Sequence, residues 1–89
     1  MKHKPISLNI DCTKLSSAYD IHTSIARQLH FPEYYGGNLA ALNDCLGDVQ
    51  IEHTIHLHWK DSTTSRSNSD IKAIKEALLT KIHSPHHGL

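Results

Sequence analysis

The chain has 89 residues, and its nine acidic and nine basic side chains balance to a formal net charge of zero, with nine histidines beside them. A chain of this length supports one domain, residues 1–89, with a single core. No apolar run approaches the roughly 20 residues of a membrane helix, and two cysteines are too few for a disulfide framework, so neither class of protein fits.

The first predicted element is a strand in the segment PISLNID. Ile6, Leu8 and Ile10 alternate there with polar residues, which is the period of a strand. A helix follows, because Ser17 and Asp20 have the spacing of a capping box. Apolar residues at helical spacing continue from this box: Ile21, Ile25 and Leu29.

A second helix is predicted after a turn. Pro32 ends the first helix, and Gly36 and Gly37 allow the chain to turn tightly. Asn38 can cap the second helix, which Gly47 can end. One face of this segment is apolar, and we expect it to face the core: Tyr35, Leu39, Leu42 and Leu46.

The segment TIHLHW predicts a second strand. Ile55, Leu57 and Trp59 lie on one face of this strand, and His56 and His58 lie on the other. The strand is followed by DSTTSRSN, residues 61–68, which we expect to be a polar loop without packing contacts.

The third helix is predicted to begin at a capping box formed by Ser67 and Asp70. Its core face carries apolar residues at helical period: Ile71, Ile74, Leu78 and Ile82. Residues 83–89 follow neither period, so we expect them to fray. Pro85 also makes them a poor third strand, because proline cannot donate to a ladder.

The order strand, helix, helix, strand, helix predicts a small α/β domain. Helical crossovers between strands favour a short parallel sheet, packed with about three helices in two or three layers. Two strands make a thin sheet, and a third strand would normally complete it.

The middle of the chain is acidic despite the neutral total. No lysine or arginine lies between Arg27 and Lys60, whereas this region contains four carboxylates: Glu33, Asp44, Asp48 and Glu52. Asp44 projects opposite the leucine stripe of the second helix, and small neighbours at Ala40 and Asn43 leave an open surface with Tyr34 near its start. Such a surface suits a basic partner, although a solvated helix face without a partner fits the charge pattern equally well.

Other site chemistries are less well supported. His56 and His58 share a strand face and could bind a metal ion with help from His53, His86 or His87, or they could be ordinary amphipathic side chains. Cys45 is interpreted as a small core residue and Cys12 as part of a loop or strand end, and we expect both to be free thiols. No nucleophile, base and oxyanion donor come together, so we do not expect an enzyme.

The segment PEYYGGNLAALNDCL, Pro32 to Leu46, resembles the signature of the barstar family of intracellular ribonuclease inhibitors. The resemblance implies a three-stranded parallel sheet with helices packed on it. It also implies that Tyr34 and Asp44 occupy the active-site cleft of a nuclease, where Asp44 binds the groups that normally hold the RNA phosphate. Glu76 resembles a peripheral acidic contact of the family.

This chain departs from the family pattern at three places. Ala40 replaces an aspartate one turn before Asp44, and Asn43 replaces a tryptophan just before it. The third departure is residues 83–89, which lack the apolar final strand of the family. The fold can survive the two interface changes while the partner changes.

Together these arguments predict a cytoplasmic inhibitor that occludes the active site of a basic secreted or toxin ribonuclease with its acidic helix face. We expect no cofactor, no direct binding of nucleic acid or membrane, and a monomer when free. The alternatives are a metal-binding domain that depends on His56 and His58, and a family member recruited to a different protein. The predicted partner-binding residues are Tyr34, Gly36, Gly37, Asn38, Ala40, Asn43, Asp44, Asp48 and Glu76.

Overall fold

The computed structural model describes residues 4–83 and shows an α/β fold, with two parallel strands and helices packed against them. This confirms the predicted fold class. The elements are β1 (Lys4–Asp11), α1 (Ala18–Leu29), α2 (Leu39–Val49), β2 (His53–Lys60), α3 (Thr63–Ser67) and α4 (Ser69–His83). None of the helices in this part of the chain combines the length and the apolar character needed to cross a membrane.

The two strands pair in parallel over their whole length, with Leu8 opposite Leu57. The alternation predicted from the sequence is confirmed, because Leu8, Ile10 and Ile55 are buried whereas His56 and His58 are exposed. The expected third strand and the predicted fraying both concern the end of the chain, and residues 84–89 lie outside the described residues.

The edge of β1 that faces away from β2 is covered at one point by a side chain of α1. The amide of Gln28 donates to the carbonyl oxygen of Asn9 at 2.9 Å, and the backbone N–H of Asn9 donates to Gln28 Oε1 at 2.9 Å. A side-chain amide thus supplies the donor and the acceptor that a neighbouring strand would offer, so these two backbone groups are not left unpaired.

The predicted caps of the first two helices are confirmed. The Ser17 hydroxyl accepts from the backbone N–H of Asp20 at 3.1 Å, and Asn38 Oδ1 accepts from that of Ala41 at 2.8 Å. Each cap satisfies one of the four N–H groups that lack a partner within a helix.

Two details of α2 were predicted wrongly. The helix does not end at Gly47 but continues to Val49, because Val49 packs against the core. Gly47 lies within the helix, and a Cβ atom there would make an ordinary contact with the end of the Lys81 side chain, 3.6 Å from Nζ. Leu39 does not belong to the core stripe and is 43% exposed, whereas Leu42 and Leu46 are fully buried.

The polar segment 61–68 is not a loop without packing contacts, because it contains α3. Ser62 and Ser65 form a reciprocal capping box, with backbone N–H to hydroxyl distances of 2.8 and 3.0 Å, and Ser65 is buried. Short-range hydrogen bonds of this kind build a helical turn without any apolar period, which explains why the sequence pattern missed it.

The start of α4 also differs from the prediction. Asn68 Oδ1 accepts from the backbone N–H groups of Asp70 and Ile71 at 2.9 and 3.1 Å, so the capping side chain is Asn68 rather than Ser67. Ser67 ends α3 instead, and its hydroxyl donates to carbonyl oxygens one turn earlier.

The core lies between the sheet and the helices, and the four α4 residues predicted to face it are all buried. Cys12, immediately after β1, is also part of this core, whereas Cys45 is half-buried, and both are free thiols. The buried apolar side chains are Leu8, Ile10, Cys12, Ile21, Ile25, Leu29, Leu42, Leu46, Ile55, Ile71, Ile74, Leu78 and Ile82.

Candidate partner-binding surface

The two adjacent tyrosines between α1 and α2 face opposite ways. Tyr35 packs edge-on against Phe31, with ring centroids 5.0 Å apart, and its hydroxyl lies 2.6 Å from Nδ1 of the buried His22. Tyr34 is 86% exposed. Tyr35 therefore anchors the connection to α1, and Tyr34 is presented to solvent beside it.

The protonation of the anchoring pair follows from its burial. Burial lowers the pKa of His22 below its usual value of 6.5, and burial, with a smaller contribution from Cys45, raises the pKa of Tyr35 to about 12. At neutral pH the imidazole is consequently neutral and the phenol is protonated. The hydrogen bond therefore joins a neutral imidazole to a protonated phenol, and the tautomer of His22 sets which of the two groups donates.

The turn that leads into α2 is set by two glycines and the helix cap. Gly37 has φ of 67°, a left-handed conformation that glycine adopts without a steric penalty. At Gly36, a Cβ atom would approach the side-chain amide of Asn38 to 3.2 Å. Gly36, Gly37 and Asn38 are all exposed, as a partner contact requires, but each also fixes the path of the chain into α2.

The outer face of α2 carries the predicted acidic residues. Asp44 and Asp48, one turn apart, are exposed, and so are Ala40 and Asn43 beside them. The ion pair found among residues 4–83 joins Lys75 to Asp61 at 2.8 Å. Asp44 and Asp48 take no part in it, so their carboxylates are not neutralised within this part of the chain. They are available to a cationic group from outside.

A groove of about 300 Å³ runs along one side of this acidic face. Phe31, Pro32 and Val49 give it apolar walls, and Asp48 and Glu52 place carboxylates on its lining. The groove extends the surface available to a partner beyond the helix itself, towards the start of β2.

Cys45 also lines this groove, but it is not an activated nucleophile. Burial raises the pKa of the Cys45 thiol, and the neighbouring charges of Asp48 and Asp44 add to the effect. Burial likewise raises the pKa of Cys12. Both thiols are therefore protonated at neutral pH, whereas thiol chemistry needs the thiolate.

Glu76 lies apart from the other predicted contacts. It is exposed on α4 and lines a groove of about 270 Å³ that also contains Trp59, Asp61 and Lys75, but no residue of α2. Its role as a peripheral contact stays a prediction that depends on how far a partner extends across α4.

The neighbours of Glu76 form a network centred on Asp61. Trp59 Nε1 donates to Asp61 Oδ1 and Lys75 Nζ to Oδ2, both at 2.8 Å, and the Ser65 hydroxyl donates to Oδ1 at 3.1 Å. The hydrogen bonds from Lys75 and Trp59 lower the pKa of Asp61 to about 2, so this carboxylate is ionised at neutral pH. It joins the end of β2 to α3 and α4.

The histidines considered as metal ligands are not gathered into one site. His56 and His58 lie on the exposed face of β2, and among the side chains of residues 4–82 no three from His, Cys, Asp or Glu come close enough to hold a metal ion. His86 and His87, named as further ligands, lie outside the described residues.

Sequence reasoning missed the contact between His22 and Tyr35. A signal for it was present, because His22 follows Ile21 and precedes Ile25 by three residues, which places it at the border of the apolar face of α1. Tyr35 was assigned to the apolar stripe of α2, whereas it lies in the preceding turn and packs against the core from there.

A comparison with protein families identifies the family of this chain. A family model described as Barstar (barnase inhibitor) matches residues 6–82, which is most of the chain. The match confirms the resemblance seen in Pro32 to Leu46 and extends it through both strands and nearly all of α4. No solved structure gives a match.

Proposed function

We propose that this chain, which belongs to the barstar family, binds a basic ribonuclease and inhibits it by covering its active site with the outer face of α2. The mechanism is steric and electrostatic, and the chain itself performs no chemistry. Asp44 lies at the centre of the contact, with Tyr34 and the glycine turn on one side and Asp48 on the other.

The observation that carries this proposal is the pair of exposed carboxylates on α2, one turn apart and without an internal ion pair in residues 4–83. A ribonuclease that binds RNA has cationic groups where the phosphates lie, and a carboxylate can take the position of a phosphate. Complementary charge also accelerates encounter and fixes the orientation of the two proteins.

The side chains around Asp44 support a contact that depends strongly on this one residue. Ala40 and Asn43 are exposed but offer neither the charge nor the aromatic ring that the family pattern has at these positions. With these two contacts reduced, we expect Asp44 to contribute a larger share of the binding free energy. Its loss should raise the dissociation constant by at least about 30-fold, which corresponds to about 2 kcal/mol.

The test is a titration of RNA cleavage by a panel of small basic ribonucleases, including any encoded beside this gene. Each enzyme is titrated with the wild-type protein, with Asp44→Ala, and with Asp20→Ala as an exposed helical control. We expect inhibition that saturates at one inhibitor per enzyme, is lost with Asp44→Ala and is retained with Asp20→Ala.

Two other outcomes would change the conclusion. Inhibition that is equally strong with Asp44→Ala would mean that the partner is held by a surface not centred on α2. No inhibition across the panel by folded protein would overturn the proposal and favour a family member recruited to a different protein.

A further inference from the structure

A third groove, of about 500 Å³, lies where the starts of α1, α2 and α4 meet. We call it the Tyr19 groove. It shares no lining residue with the groove beside Phe31 and Val49, and none of the predicted partner-binding residues outside the glycine turn contributes to it. The residues that define it are Tyr19, Gly37, Asn38, Leu39, Asp70 and Ala73.

The lining of the Tyr19 groove combines exposed apolar surface with one carboxylate. Tyr19 is 76% exposed and Leu39 is 43% exposed, although both are large apolar side chains. Asp70 is exposed as well, and it forms no ion pair with any side chain of residues 4–82. One depression is thus lined by a phenol ring, a leucine and a free carboxylate. Together they form a site for a long cationic side chain.

Lysine and arginine fit this combination for a physical reason. Their aliphatic stems pack against apolar surface while the charged end stays at the rim, and the arginine guanidinium also stacks on aromatic rings. A cation over a tyrosine face is attracted by the ring electrons, and a carboxylate adds its own attraction. An acidic or purely apolar side chain would gain only one of these contributions.

The Tyr19 groove is continuous with the proposed partner-binding surface. Gly37 and Asn38 belong to both, and Leu39 begins the helix that carries Asp44. A protein seated on α2 and on the glycine turn would therefore reach the groove without a second, separate interface. The groove also places an aromatic ring, Tyr19 of α1, and a carboxylate, Asp70 of α4, beside the start of α2, which has neither group at Ala40 and Asn43.

We infer that the Tyr19 groove receives an arginine or lysine side chain of the ribonuclease, with Tyr19 and Leu39 contacting its stem and Asp70 pairing with its cationic end. The inference rests on the proposed function for the identity of the partner. It assigns specificity to two residues, Tyr19 and Asp70, that the acidic face of α2 does not include.

The plain alternative is that Asp70 only stabilises α4, because a carboxylate in the first turn interacts favourably with the helix dipole. Asp20 provides a matched control, since it occupies the first turn of α1, is exposed, and does not line the groove. Neutralising Asp20 or Asp70 removes the same charge from the same kind of helix position, but only Asp70→Asn alters the groove.

The first experiment needs no ribonuclease. The wild-type protein, Asp70→Asn and Asp20→Asn are each titrated with acetyl-Gly-Arg-Gly-amide, with acetyl-Gly-Glu-Gly-amide as the control peptide, and backbone amide shifts are followed by NMR. We expect the arginine peptide to shift the signals of Gly37, Leu39 and Ala73 in the wild type and in Asp20→Asn. Absence of these shifts, or equal shifts in Asp70→Asn, would overturn the inference.

The second experiment uses a ribonuclease that the wild-type protein inhibits. Asp70→Asn and Tyr19→Ala should each weaken inhibition roughly threefold to tenfold, whereas Asp20→Asn should change it less than twofold. Equal effects of Asp70→Asn and Asp20→Asn would show a general charge effect and overturn the inference. If no ribonuclease is inhibited, the proposed function fails while the peptide titration still decides whether the groove binds a cationic side chain.

Discussion

The contact between His22 and Tyr35 can be tested by removing one oxygen atom. Tyr35→Phe keeps the ring that packs against Phe31 and deletes the hydroxyl that lies 2.6 Å from His22 Nδ1. His22 is buried, so its Nδ1 loses its partner in a place with little access to water. The variant therefore isolates the hydrogen bond from the packing.

The expected effect is a loss of about 1–2 kcal/mol in the free energy of unfolding. An average hydrogen bond contributes about 1 kcal/mol net, and a buried donor or acceptor left unsatisfied costs about 1–3 kcal/mol. We take the lower part of this range because Tyr35 is only half-buried, so water can replace part of the lost contact. For a domain of this size the midpoint of thermal unfolding should fall by roughly 4–8 °C per kcal/mol.

Urea and thermal unfolding followed by circular dichroism measure this change, and a double-mutant cycle with His22→Leu assigns it to the pair. Leucine has no donor or acceptor to leave unsatisfied, so Tyr35→Phe should cost clearly less in the His22→Leu background than in the wild type. The same cost for Tyr35→Phe in both backgrounds would refute the claim that the two side chains act together.

Two further predictions concern pH and follow from the pKa values of His22 and Asp61. Burial lowers the pKa of His22 below 6.5, so as the pH falls the imidazole takes up a proton in the unfolded chain before it does so in the folded chain. The free energy of unfolding should therefore fall as the pH drops below 6.5. Urea titrations at several pH values measure this fall, which should be smaller in His22→Leu. Because its hydrogen bonds lower the pKa of Asp61 from 3.8 to about 2, the stability contributed by this carboxylate is present above pH 3.8 and lost towards pH 2. Asp61→Asn should be less stable than the wild type at neutral pH and should lose less stability over that acid range. If the free energy of unfolding fell equally in the variant and the wild type between pH 3.8 and pH 2, the loss could not be assigned to Asp61.

The strands and the core face of α4 could be predicted because their apolar residues follow a strict period. Burial of Leu8, Ile10 and Ile55, and of every predicted core residue in α4, follows directly from alternation or helical spacing. The position of Asp44 on the outer face of α2 follows from the same helical geometry, since it is set by the buried Leu42 and Leu46.

Features built from hydrogen bonds between polar side chains could not be predicted in this way. α3 depends on Ser62 and Ser65, and the cover of β1 depends on Gln28, which is 19 residues away from Asn9 in the chain. These contacts have no period in the sequence, and the contact between Gln28 and Asn9 also joins two elements that only the tertiary fold brings together. The exposure of Leu39 is a related case, because its spacing fits the apolar stripe but its place in the first turn of α2 leaves it at the surface.

Within the proposed site, the residues that hold the surface differ from those that are presented on it. Tyr35 is fixed against the core by His22 and Phe31, and Asn38 uses its side-chain oxygen to cap α2, so the turn and the helix start are ordered before any partner arrives. A surface that is already ordered loses less conformational entropy on binding, which favours affinity without additional contacts.

The outward-facing residues can change without disturbing that framework. Tyr34, Ala40, Asn43 and Asp44 are exposed, and none of them donates or accepts a side-chain hydrogen bond within residues 4–83. Substitutions at these positions should therefore alter the partner or the affinity at little cost to the fold. This separation explains how a chain can keep the family's fold while it has alanine and asparagine where the family pattern has an aspartate and a tryptophan. Under the proposed function, Asp44 and the Tyr19 groove, rather than the core, would determine the identity of the partner.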